Sequence, residues 1–159
     1  MTETPERLSA RLRSEGEKTL EFFRALPSDC WETGVYSDGG QWTVRQLLAH
    51  FVSAEAGMNE LIRVILAGGA GAPEDFDIDL YNQRRVDRLQ ALSPAELLDQ
   101  FVERRQASAQ MTDGLSAADL TRTGRHPWMG IAPVEDILKL LYRHNQIHQR
   151  DIRKALSTE

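Results

Sequence analysis

The sequence predicts an all-α fold, an antiparallel four-helix bundle, with a long connection before its last helix, in one domain spanning residues 1–159. Two observations carry that expectation. Long stretches place apolar residues at helical spacing, and no strand-like alternation of any strength interrupts them. The breaks between those stretches fall at proline and glycine clusters, leaving four main helices joined by connections of moderate length. An irregular all-α domain is the competing architecture.

Pro5 to Leu26 forms the first helix. Leu8, Leu12, Leu20, Phe23 and Leu26 supply its apolar face, and Gly16 weakens its middle by roughly 1 kcal/mol relative to alanine. Pro27-Ser28-Asp29 ends it. Residues 28–41 are turn-rich, with Ser37-Asp38-Gly39-Gly40 the clearest breaker, and the bracketing Trp31 and Trp42 read as plugs at the end of a helical core. The second helix has Thr43 as N-cap and Gln46 as its capping-box partner. Val44, Leu47, Leu48, Phe51, Met58, Leu61, Ile62 and Ile65 trace one face of it, and Gly68 to Pro73 stops it with a flexible connection.

Helix resumes from Asp77 to Met111 with an interruption at Ser93-Pro94, where Ser93 caps a new start with proline at N1 and Glu96 at N3. Asp113-Gly114 closes it. Residues 115–132 form the long connection, with room for a short helical turn. The last helix begins around Pro133, its start favoured by Glu135 and Asp136.

Composition excludes several classes. At 159 residues, 41% hydrophobic and 27% charged, the chain is ordinary for a soluble globular domain with a real core. A net charge of −5 opposes a broad nucleic-acid surface. Arg84-Arg85 and Arg104-Arg105 lie among acids and read as solvated helix faces. No run approaches the roughly 18–20 apolar residues of a membrane span. Met1 to Arg13 is polar, with no signal-like apolar core. A single cysteine, Cys30, cannot form an internal disulfide, in keeping with a cytoplasmic location, and it reads first as a structural thiol.

The histidines are the chemistry-bearing residues. His144 and His148 stand one helical turn apart inside the apolar stripe of Val134, Ile137, Leu138, Leu141, Ile152 and Leu156. Imidazoles so placed can share one ion. His50 lies at the edge of the apolar stripe of the second helix, with Gly57 leaving space beside it. Three nitrogen donors suit zinc, nickel, iron or copper better than calcium or magnesium, and leave a coordination position open. Spacing alone leaves this metal site and a set of hydrogen-bonded core histidines evenly balanced. The fourth histidine, His126, reads as a loop surface residue beside Pro127 and Trp128.

The segment Gly40-Gln41-Trp42-Thr43-Val44-Arg45-Gln46-Leu47-Leu48-Ala49-His50, followed by His144-Asn145-Gln146-Ile147-His148, resembles the DinB-like superfamily of damage-inducible-type four-helix-bundle metalloproteins. The similarity covers nearly the whole chain, including helix order and the long connection before the last helix. Specificity lies in the Trp-Thr…His element together with the late HxxxH. The resemblance implies His50, His144 and His148 as ligands of a divalent metal, with zinc or nickel foremost, and a homodimer. Some relatives use low-molecular-weight thiols, as mycothiol-dependent isomerases and bacillithiol or glutathione S-transferases. Asp79-Leu80-Tyr81-Asn82 is similar to a stretch that often follows the glycine-rich connection in this group. Asn82 there is either a pocket hydrogen-bonding residue or a solvent-facing polar group.

Two functional expectations follow. One is a metal-dependent transferase or hydrolase, thiol-dependent in its most concrete form, acting on a small molecule. Its metal would lower the pKa of a thiol or water. Asp151 would orient an imidazole or pair with surface arginines, and no general acid or base is identifiable. The other is a non-catalytic, stress-related bundle that binds a metal or small ligand. Neither needs nucleic acid or a membrane.

Overall fold

The computed structural model describes residues 3–37 and 39–157. Met1, from the polar N-terminal stretch, and Asp38, from the predicted breaker, lie outside them. Five α-helices are present among the described residues: α1 (Pro5–Arg24), α2 (Val44–Leu66), α3 (Ile78–Arg88), α4 (Pro94–Asp113) and α5 (Val134–Ser157). The four long ones, α1, α2, α4 and α5, form the bundle. α3 is the short first part of the interrupted third segment. Both capping boxes are formed, with Thr43 and Ser93 accepting from the backbone of Gln46 and Glu96 and receiving those side chains in return.

The helices pack in the ring α1–α4–α2–α5, so α1 lies diagonally opposite α2. Ser9 meets Ala109 and Leu12 meets Arg105, which makes α1 and α4 antiparallel. His50 meets His148, while Ile62 and Ile65 cluster with Val134 to Leu138, so α2 and α5 are antiparallel too. The other two contacts are parallel. Glu15, Thr19 and Phe22 of α1 meet Gln146, Gln149 and Arg153 of α5 in step. Phe51, Glu55 and Asn59 of α2 likewise meet Phe101, Arg105 and Ser108 of α4. Long connections cross the bundle ends to allow this.

Two of those connections contain strands that the sequence reading did not expect. β1 (Gly34–Ser37) pairs antiparallel with β2 (Gly40–Thr43), and β3 (Thr123–His126) with β4 (Gly130–Pro133). Each strand is four residues long, too short for a period of two to stand out. The Asp38-Gly39 dipeptide was the available hairpin signal. The glycine-rich connection after α2 is pinned, not free. Ala72 N–H donates to the Arg125 carbonyl and Arg125 N–H to that of Ala70, each at 2.8 Å. Gly71, at φ +95°, lies where any Cβ would strike the Arg125 backbone.

The core is split. Phe23, Leu47, Phe51, Leu97, Phe101 and Ile152 belong to one apolar cluster, and Leu12, Ile62, Ala109, Leu138 and Leu141 to the other. Between them in the bundle helices comes a polar layer: Glu15 and Thr19, Glu55 and Asn59, Arg105 and Ser108, Asn145 and Gln149. Arg105 corrects the expectation of a solvated face. Its side chain is 4% exposed and its Nε lies 2.9 Å from Oε2 of Glu55, itself 1% exposed. Burial is tolerable because the charge is paired and its other donors are used.

Candidate metal centre

His50 enters the site from the seventh residue of α2, and His144 and His148 from the facing surface of α5. One ring nitrogen from each lies within 4.8 Å of those of the other two. The Nε2 atoms of His50 and His144 are 2.9 Å apart, and those of His148 and His144 are 3.0 Å apart. The rings stand nearly perpendicular, at 78°, 86° and 88° to one another, so three separate planes converge on one point.

Hydrogen bonding alone does not satisfy this arrangement. A neutral imidazole nitrogen carries either one N–H or one lone pair in the ring plane, so His144 Nε2 serves one neighbour well, not two. His50 Nδ1 is buried with no hydrogen-bond partner among the described residues. Three nitrogens around a zinc-sized ion would be about 3.3 Å apart, from bonds of about 2.0–2.1 Å in a tetrahedral set. The donor set fits such an ion.

The tautomer of His148 follows from its neighbours. Ser37 Oγ donates its single proton to Asp151 Oδ2 at 2.5 Å. Toward His148 Nδ1, 2.7 Å away, that oxygen must therefore accept, so Nδ1 carries the proton and Nε2 presents a bare lone pair to the other histidines. Asp151 thus acts through Ser37, which β1 brings over α5. Nothing in the sequence links residues 37 and 148. Burial, with a smaller contribution from His148, holds the pKa of His50 at about 3. Burial first, then the neighbouring histidines, holds His144 well below the usual range. Both are therefore neutral at pH 7, the form that ligates metals.

Trp42 is not only a core plug. Its ring centroid lies 5.0 Å from that of His50, and its Nε1–H donates to Gln83 Oε1 at 3.1 Å. Cys30 sits within an apolar cluster, as a structural thiol would.

A pocket of about 380 Å³ opens beside the three histidines. Its lining is mostly apolar, and Asn82 lines it too. So does His126, which the sequence placed on the surface but which is 6% exposed. The β3–β4 turn folds over it: Trp128 N–H and Met129 N–H donate to His126 Nδ1 at 3.0 and 3.1 Å. Neutral His126, its pKa lowered by burial, therefore keeps its proton on Nε2. His126→Ala is expected to destabilise the fold by about 1–2 kcal/mol, because two backbone donors lose their acceptor. His126→Asn, which restores an acceptor, should recover most of that in urea unfolding.

The DinB superfamily pattern matches residues 11–152. The chain belongs to the DinB superfamily. Solved structures agree on the DinB fold. YfiT from Bacillus subtilis, described as a probable metal-dependent hydrolase with an unusual four-helix bundle topology, superposes at TM-score 0.76 with 20% identity, over 95% of this chain and 85% of that one. An uncharacterized protein from Clostridium difficile 630 gives 0.74 at 19% identity over 97% and 96%. A protein from Streptococcus pneumoniae gives 0.74 at 20% over 97% and 91%. No curated protein matches. No helix among the described residues is long and apolar enough to cross a membrane.

Proposed function

We propose that His50, His144 and His148 hold a divalent cation, zinc or nickel, and that the protein uses it to transform a small molecule in the adjoining pocket. The observation that carries this reading is the convergence of three Nε2 atoms, a contact that hydrogen bonding cannot satisfy and a shared cation can. Bound there, the ion would act as a Lewis acid that lowers the pKa of a thiol or water. The chain's own residues do the rest. Ser37 and Asp151 fix the tautomer of His148, Trp42 packs against His50, and mostly apolar walls line the pocket beside them.

The reaction is a hydrolysis or a thiol transfer. YfiT's description supports the first, and the family's thiol-using members support the second. A homodimer belongs to the same proposal, with Trp128 and Ile131, each 62% exposed around the β3–β4 turn, as apolar surface for it.

The test is elemental analysis of untagged protein purified without added metal or chelator, beside His50→Ala. Near-stoichiometric metal that disappears in the variant is the expected result. No metal, even after reconstitution with zinc and nickel, would make the three histidines core polar residues. Loaded protein is then offered an activated ester and an aryl halide, each with and without an added thiol. Metal-dependent ester cleavage without thiol selects the hydrolase, and thiol-dependent loss of halide selects the transferase.

A further inference from the structure

We propose that the pocket beside the three histidines receives a small organic anion, an apolar molecule whose carboxylate is held by Arg85. This rests on the reading that the pocket is the substrate site. Its walls include apolar side chains of α2, of the connection before α3 and of α5, among them Met58, Leu61, Phe76, Leu140 and Ile147. Into that lining α3 inserts a half-buried guanidinium. Arg85 Nη2 donates to the Tyr81 hydroxyl at 3.0 Å, and its Cζ lies 5.1 Å from the centre of the Tyr81 ring. No carboxylate among the described residues pairs with it.

The cation is held in place from behind. Tyr81 leans on α2 at Gly57, where a Cβ would come within 3.2 Å of the Tyr81 hydroxyl. The missing side chain lets the ring seat against the helix, and the ring fixes the guanidinium one turn further along α3. Only some of its five N–H donors are used on Tyr81, and the remaining ones keep the planar fork that matches a carboxylate. The two acids that share the pocket do not neutralise it. Glu60 is 70% exposed and lies 3.6 Å from Arg63, and Asp79 is exposed in the first turn of α3. Both belong to the rim. A preoriented cation without an anion, facing an apolar cavity, selects for an amphiphile with a negative end.

Calorimetry with 4-phenylbutyrate, 4-phenylbutan-1-ol and 4-phenylbutan-1-amine tests the assignment. The protein is used as purified and again after chelation, with its metal content measured each time. Phenylbutyrate should bind best and the amine worst, with affinity falling as salt rises. Arg85→Gln should weaken phenylbutyrate by about tenfold and leave the alcohol unchanged, and Arg85→Lys should restore part of the preference. Failure of phenylbutyrate to bind at millimolar concentration, equal binding of acid and alcohol, or an unchanged affinity in Arg85→Gln would each overturn the proposal. Binding that persists in Arg85→Gln but vanishes on chelation would place the carboxylate on the metal instead. The measured metal content keeps all of these separate from a failure of the three-histidine site itself.

Discussion

His148→Ala is expected to abolish zinc binding at micromolar metal, whereas Ser37→Ala should lower affinity by about 10–100-fold and leave the stoichiometry intact. The two variants separate a donor from the group that orients it. His148 contributes one of three nitrogens, and without it two imidazoles remain, too few to close a site. Ser37 contributes none. Its hydroxyl accepts from His148 Nδ1 and donates to Asp151, and so holds the lone pair of Nε2 toward His50 and His144. Removing the hydroxyl takes away the acceptor that fixes the His148 tautomer but leaves the donor in reach. His126→Ala serves as the control, because its nitrogens stand outside the cluster. Competition against a chromophoric chelator measures all three. Equal metal retention by His148→Ala and His126→Ala would sink the assignment of the donor set.

How much of this was legible in the sequence depends on the range of the interaction. Helix faces, both capping boxes and the break at Ser93 are local patterns of three to four residues, and they are formed as read. The i, i+4 pair of His144 and His148 is equally local. His50 needed the further assumption that α2 faces α5, which antiparallel packing of those two helices satisfies. Ser37 carries no such signal. A serine in a turn-rich stretch looks like any other until a hairpin carries it onto a helix 111 residues later. His126 was misplaced for a similar reason: its burial comes from a four-residue strand and a turn whose backbone donors need an acceptor. Arg105 was misplaced because its partner, Glu55, lies on another helix. Charged residues are almost never fully buried unless paired, and pairing across elements is invisible to periodicity.

Arg105→Met should destabilise the protein by about 3–5 kcal/mol, the largest effect expected of any single substitution away from the three histidines. The guanidinium bonds both oxygens of Glu55 at 2.9 Å, the side chain of Asn145 at 2.6 Å, and the carbonyls of Leu141 and Leu12 at 3.2 and 3.3 Å. These partners lie on α1, α2 and α5, so one side chain on α4 ties the whole bundle together. Its loss strands a carboxylate whose remaining donor is Ser108, at 2.5 Å. Replacing both partners, Arg105→Met with Glu55→Leu, should recover much of the deficit, because the cost lies mainly in the unpaired charge. Gly16→Ala should also destabilise, against the usual helical gain from alanine, since its Cβ would come 2.7 Å from Arg105 Cγ in a side chain that is locked at its far end. Urea unfolding of the apo-protein reads all three. Asn145 lies directly beside His144, so the layer that fixes α5 against α2 also fixes the spacing of the histidines. Arg105→Met should therefore weaken metal binding without touching a donor, whereas the double variant, with the layer emptied but packed, should recover stability more fully than metal affinity. Full stability of Arg105→Met would mean that Glu55 finds water or another donor, and that the layer does not hold the bundle in register.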